Sequence, residues 1–175
     1  MNLLISYSGR KNGNCDLICN YIAAKDDHVV HFRDLNVHEC SNCDYECFNQ
    51  NCKYRQDDIY TLYKSMTKYN KIILVVPIYC GNPSSLYFKF NERSQDYFMH
   101  NQDYDEIISR LYVIGIYGDK ESNPDFIPCL QKWFDNTKYS NRVLGIERHK
   151  YGQRLYDNIL NVEEVKNKIS IFIKE

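Results

Sequence analysis

The sequence predicts an α/β fold, with a parallel sheet covered by helices on both faces. Three observations predict it. Continuous apolar runs of strand length recur, as in KIILVVPIY (71–79) and RLYVIGIYG (110–118). Such runs suit strands buried on both faces. Segments with helical apolar spacing lie between them, and the two kinds of element alternate along the chain. At 175 residues, 43% of them hydrophobic, the chain suits one domain spanning 1–175 with a substantial core.

The elements follow in order. NLLISYS (2–8) is strand-like, and CDLICNYIAA (15–24) sets Leu17, Ile18 and Ile22 near helical spacing. HVVHFRDL (28–35) is β-rich, with Val30 and Phe32 alternating. A cysteine-rich segment, 40–52, precedes DDIYTLYKSMTKY (57–69), which puts Ile59, Leu62, Tyr63 and Met66 on one helical face. The 71–79 run, ended by a proline, is the third strand. Residues 84–100 read as a helix capped by Ser84. The run 110–118 is the fourth strand, and 123–137 a helix with prolines near its start. RVLGIERHK (142–150) is the last strand, and 162–175 the last helix. The 16 tyrosines read as packing and composition bias.

Charge and composition exclude several functions. The balance of 22 basic and 23 acidic residues gives a formal net charge of −1, without the concentrated basic face that nucleic acid requires. No apolar stretch approaches the roughly 20 residues of a membrane span. Polar residues arrive by Ser6, so the start lacks a secretory signal pattern. A cytoplasmic protein is expected, whose eight cysteines are thiols, metal ligands or redox groups and not structural disulfides.

In open parallel sheets, ligands sit beyond the carboxyl ends of the strands, at the switch in strand order. The loops after strands one, three and four therefore matter: 8–14, 77–84 and 117–122. The first, within SYSGRKNGNC (6–15), feeds a helix N-terminus, whose free N–H groups and partial positive charge favour an anion. Gly9 and Gly13 allow a tight curl, Ser8 and Asn14 add donors, and Arg10 and Lys11 add attraction. The stretch lacks the Gly-Lys-Ser/Thr of a triphosphate loop and the G-x-G-x-x-G dinucleotide spacing. Taken alone, an ordinary polar turn accounts for it equally well. In the second loop, Tyr79 offers a flat face, Gly81 a close backbone approach, and Asn82 and Ser84 polar contacts. That would make a floor for a flat ring with polar edges, or a plain loop with a helix cap.

Together these loops resemble the NADPH-dependent FMN reductase family. That family shows S-P-R-x-N-G-N-[ST] after its first strand, matched here by Ser8, Arg10, Lys11, Asn12, Gly13 and Asn14. After its third strand it shows P-[VI]-Y-x-G-x-x-S ending in D-R, matched by Pro77, Ile78, Tyr79, Gly81 and Ser84 with Glu92-Arg93. The segment DLNVHECSNC (34–43) and Asp57-Asp58 also follow its pattern. The resemblance covers about the first 95 residues; beyond them it is one of strand–helix pattern. It implies a flavodoxin-like three-layer sandwich, a five-stranded parallel sheet of order 2-1-3-4-5 with helices on both faces. It also implies bound FMN, reduced by NAD(P)H and reoxidised by a small-molecule acceptor such as a quinone or flavin, in a cytoplasmic homodimer. Ser8, Arg10, Asn12, Asn14 and Cys15 would hold the phosphate. Pro77, Ile78, Tyr79, Cys80, Gly81 and Asn82 would line the ring, with Gly118 near its other edge. No side chain need act as acid or base. Two departures stand out. Gly9 replaces a proline, and Cys15 replaces a hydroxyl donor with a weakly donating thiol, which implies weaker flavin binding.

Cys40, Cys43, Cys47 and Cys52 are spaced x2, x3, x4. Four thiolates so close can wrap a zinc ion or an iron–sulfur cluster. The related iron–sulfur flavoproteins carry a similar run with a shorter second gap. Three readings stay open: bare thiols shaping a loop, a [4Fe-4S] cluster relaying electrons to FMN in an electron carrier, or a zinc staple in a non-enzymatic interaction module. Cys80 reads as a small apolar residue. The five histidines do not cluster, and none is assigned to metal or acid–base work.

Overall fold

In the computed structural model, which describes residues 1–41, 43–119 and 126–174, strands and helices alternate as the apolar pattern demands. In chain order they are β1 (Leu3–Ser6), α1 (Asn14–Ile22), β2 (His28–His31), α2 (Asp58–Met66), β3 (Ile72–Tyr79), β4 (Asn82–Pro83), α3 (Ser85–Phe98), α4 (Tyr104–Ile108), β5 (Leu111–Tyr117), α5 (Phe126–Gln131), β6 (Val143–Glu147) and α6 (Glu163–Phe172). The parallel strands lie in the order β2-β1-β3-β5-β6, with β4 a two-residue antiparallel addition to β3. Counted without β4, that is the expected 2-1-3-4-5 order of a flavodoxin-like sheet.

Burial explains the layers. β3 is buried from Ile72 to Ile78, so its side chains serve both faces. On one face, Leu4, Ile73, Tyr112 and Ile114 pack with Ile18 of α1 and with Val165, Ile169 and Phe172 of α6. On the other, Leu3, Ile5, Leu74 and Val113 pack with α2, α3 and α5. The four apolar residues expected on α2 are all buried, and Asp57 caps the helix by accepting from the Ile59 N–H at 3.2 Å. Tyr7, Phe32, Tyr87 and Phe90 form an aromatic cluster, its rings 5.1–6.0 Å apart. Gly115 of β5 lets α5 sit directly on the sheet. A Cβ there would lie 2.8 Å from Leu130 Cδ1.

Several elements differ from the sequence expectation. β2 ends at His31 because the chain turns into a 3₁₀ segment, Phe32–Asp34, that buries Phe32 beside Tyr7. β6 ends at Glu147, and a 3₁₀ turn, His149–Tyr151, follows. The helix expected over 123–137 is described as α5 and a 3₁₀ turn, Lys132–Phe134; its first residues lie outside the described ones. α4 and β4, both very short, were not expected. Among the described residues, no helix is long and apolar enough to cross a membrane.

Candidate functional site

A cleft of about 410 Å³ opens beyond the carboxyl ends of β1, β3 and β5, where the order of an open sheet puts a ligand. Its first wall is the loop from β1 to α1. Ser8 Oγ accepts from the Arg10 N–H and donates to the Arg10 carbonyl, both at 3.1 Å. Asn12 is left-handed, with φ 55°. Gly13 sits at the helix N-cap in extended conformation with no side-chain cap, so the start of α1 is left for an external acceptor.

The loop is held from below by Asp16, which is 2% exposed. Its carboxylate accepts from Ser6 Oγ at 2.6 Å, from the Asn12 N–H at 2.8 Å, and from both terminal nitrogens of Arg33 at 3.0 and 2.9 Å. His31 Nδ1 lies 3.2 Å away. Burial alone would raise the acid's pKa. The hydrogen bonds from Arg33, Ser6 and the Asn12 backbone, with His31 nearby, outweigh that and hold it below the usual carboxylate range. Asp16 is therefore a charged anchor whose negative charge is already taken up by Arg33.

The second wall is the turn joining β3 to β4. Tyr79 pairs with Asn82, and the two residues between them are left-handed: Cys80 at φ 48° and Gly81 at 78°. Positive φ at both central positions is the signature of a tight hairpin turn matched to strand twist. The turn leaves Tyr79 49% exposed at the cleft. Ser84, the cap of α3, donates from Oγ to the Tyr7 carbonyl at 2.8 Å and so ties this wall to the first.

The third wall comes from the far end of the chain. Asn14 reaches across to it: Nδ2 donates to the Asp157 carbonyl at 3.1 Å, and Oδ1 accepts from the Ile159 N–H at 3.0 Å. Arg10 donates to the Leu155 carbonyl at 3.2 Å and lies over the Tyr156 ring, 5.4 Å from its centre. Arg148, just after β6, also lines the cleft, and its Nη1 is buried without a hydrogen-bond partner among the described residues. Burial, reinforced by the nearby Arg10 and opposed by Asp157, lowers the pKa of this guanidinium.

Of the twelve residues expected at a cofactor, nine line this cleft: Ser8, Arg10, Asn14, Cys15, Pro77, Ile78, Tyr79, Cys80 and Gly118. Asn12, Gly81 and Asn82 do not. Asn12 turns its N–H to Asp16, Gly81 supplies the turn, and the Asn82 amide donates to the Cys80 carbonyl at 3.1 Å. Ile116, Arg148 and Leu155 line the cleft without having been expected. For Arg148 a signal existed, since it follows a parallel strand at the ligand-binding edge. Leu155 carried none. Burial pushes the Cys15 thiol well up, helped by Cys19 and Asp16 and opposed by Arg10, so it stays protonated. Of the loop expected over 117–122, residues 120–122 lie outside the described ones.

Among the described residues, the cysteine run is not arranged as a metal centre. Cys40, Cys43, Cys47 and Cys52 share one pocket of only about 20 Å³. Among the described residues, however, no group of three or more His, Cys, Asp or Glu is placed to hold a metal ion. Arg93 lines the same pocket. It is 4% exposed and pairs with Asp57 at 2.6 Å. It also donates to the His38 and Tyr54 carbonyls and approaches Cys52 Sγ at 4.0 Å. The thiols gather around a guanidinium already satisfied by protein oxygens. The [4Fe-4S] and zinc readings of the run gain no support from this arrangement.

Comparison with known proteins agrees with this fold. The family model for NADPH-dependent FMN reductase matches residues 2–105, more than half of the chain. No curated protein matches the sequence. Among solved structures, the Trp repressor binding protein from Bacillus subtilis superposes with a TM-score of 0.63 at 16% identity, over 100% of this chain and 98% of that one. RosB with a bound 8-demethyl-8-formylriboflavin-5′-phosphate intermediate gives 0.58 at 15%, over 83% and 64%. A flavone reductase gives 0.51 at 13%, over 98% and 59%. At such identities the likeness establishes the fold.

Proposed function

Because this chain belongs to the NADPH-dependent FMN reductase family and is thereby an FMN-dependent oxidoreductase, we propose that it binds FMN in the cleft, accepts hydride from NAD(P)H and delivers electrons to a small-molecule acceptor such as a quinone or flavin. The observation that carries this reading is the meeting of two features at one sheet edge. An uncapped helix start with a guanidinium beside it faces the same cleft as the exposed ring of Tyr79. The first suits a phosphate and the second a flat aromatic system.

Bound flavin supplies the hydride chemistry, while the protein binds, orients and shields. Ser8, Arg10, Asn14 and Cys15 would hold the phosphate, with Asn12 setting the curl of the loop. Pro77, Ile78, Tyr79 and Cys80 would form the floor of the ring site, shaped by Gly81 and Asn82, with Gly118 at its other edge. The protonated Cys15 thiol donates weakly, which leaves most of the phosphate's hydrogen bonding to main-chain amides and Arg10. No side chain is required as general acid or base. We read the chain as one domain, working in the cytoplasm as a homodimer, as the family resemblance implies.

The test is anaerobic addition of NADPH, and separately NADH, to FMN-loaded protein. The visible flavin absorbance should bleach and return when a quinone is added. Loaded protein that keeps its colour under excess of both nucleotides would rule the proposal out.

A further inference from the structure

We propose that Arg148 is the second cation of a two-arginine clamp for the dianionic phosphate of the flavin, and that it sets the preference for FMN over unphosphorylated riboflavin. The inference rests on the reading of the cleft as a flavin site and names a residue outside the loop that the family motif describes.

The charges around the cleft carry the argument. Arg10 and Arg148 both line it. Arg10 arrives from the loop after β1, Arg148 from the end of β6. The neighbouring carboxylates are committed elsewhere: Asp16 to Arg33, and Asp157 to the backbone and guanidinium of Arg154. Among the described residues, no carboxylate lies within ion-pair distance of Arg148, and its Nη1 is buried with no acceptor. A buried guanidinium nitrogen without an acceptor costs free energy. The Arg148 backbone is nonetheless held in place. Its N–H donates to the Tyr117 carbonyl at 3.0 Å, and its own carbonyl accepts from the N–H groups of Tyr151 and Gln153 at 3.0 and 3.1 Å. The side chain also lies over Gly118, since a Cβ there would be 3.6 Å from Arg148 Nη2. A guanidinium on an anchored backbone, with no carboxylate partner among the described residues and a second guanidinium nearby, suits a group with two negative charges.

The test compares FMN and riboflavin binding by quenching of flavin fluorescence, for wild type, Arg148→Gln and Arg148→Lys. Inorganic phosphate serves as a competitor, and the melting temperature of flavin-free protein as a check on folding. Losing a charged hydrogen bond should weaken FMN binding about ten- to a hundredfold in R148Q, leave riboflavin binding unchanged, and weaken competition by inorganic phosphate by a similar factor. R148K should fall between. Flavin-free R148Q should melt no lower than wild type, because the substitution removes an unpaired charge. Equal weakening of FMN and riboflavin would mean that Arg148 serves the ring or the fold, and overturns the inference. So does unchanged FMN binding. Wild-type protein that binds neither flavin overturns the flavin reading itself, and this inference with it.

Discussion

Replacing Asp16 with alanine tests the idea that one buried carboxylate holds the loop at the cleft. Asp16 accepts four hydrogen bonds, from Ser6, Asn12 and twice from Arg33. Its side chain is 3% exposed and that of Arg33 12%, so solvent screens the pair little. Removing one partner of a buried ion pair costs about 3–5 kcal/mol, and leaving the Asn12 N–H without its acceptor adds to this. That is a large share of the ~5–15 kcal/mol typical of a folded domain. At about 2–4 °C per kcal/mol for a chain of this size, D16A should melt roughly 6–20 °C lower. FMN binding should weaken as well, because the Asn12 turn loses its tie. The carboxyl is held below its usual pKa in the folded state. Its stabilisation is therefore complete above the unfolded value of ~3.9 and is lost as pH falls from there through the lower folded value. Urea titrations across that acid range should show the dependence in wild type and its loss in D16N. A D16A protein destabilised by less than ~1 kcal/mol, with normal FMN affinity, would refute the reasoning.

Three further outcomes follow from single contacts. Ser84→Ala removes both the α3 cap and the bond to the Tyr7 carbonyl, and should cost about 1–2 kcal/mol in denaturant titration. Gly115→Ala forces a methyl against Leu130 and should cost about 1–3 kcal/mol through overpacking, read as a lower melting temperature. Arg93→Met breaks the 2.6 Å pair with Asp57 and should destabilise by about 3–5 kcal/mol.

What could be read from the sequence was local periodicity and the chemistry of loops next to strands. The run 71–79 announced a doubly buried strand, and the spacing of Ile59, Leu62, Tyr63 and Met66 announced the inner face of α2. Loops after β1 and β3 could be placed at the cleft because parallel topology sends them to the same edge. Long-range partners could not be read. The 153–158 segment shows no periodicity, and it becomes a wall only because the Asn14 amide captures the Asp157 carbonyl and the Ile159 N–H. The turn at Cys80 was hidden because only one of its two left-handed residues is glycine. The surroundings of the cysteine run could not be read either, because spacing alone says nothing of Arg93, which approaches the thiols from 41 residues beyond Cys52.

The position of a bound flavin phosphate is the most direct test of the cleft. A crystal structure of the FMN complex should place it within hydrogen-bond distance of the first N–H groups of α1 and of Arg10, with the ring against Tyr79. FMN bound elsewhere on the sheet, or turned with its phosphate away from the 8–14 loop, would contradict the reading of the cleft as a flavin site.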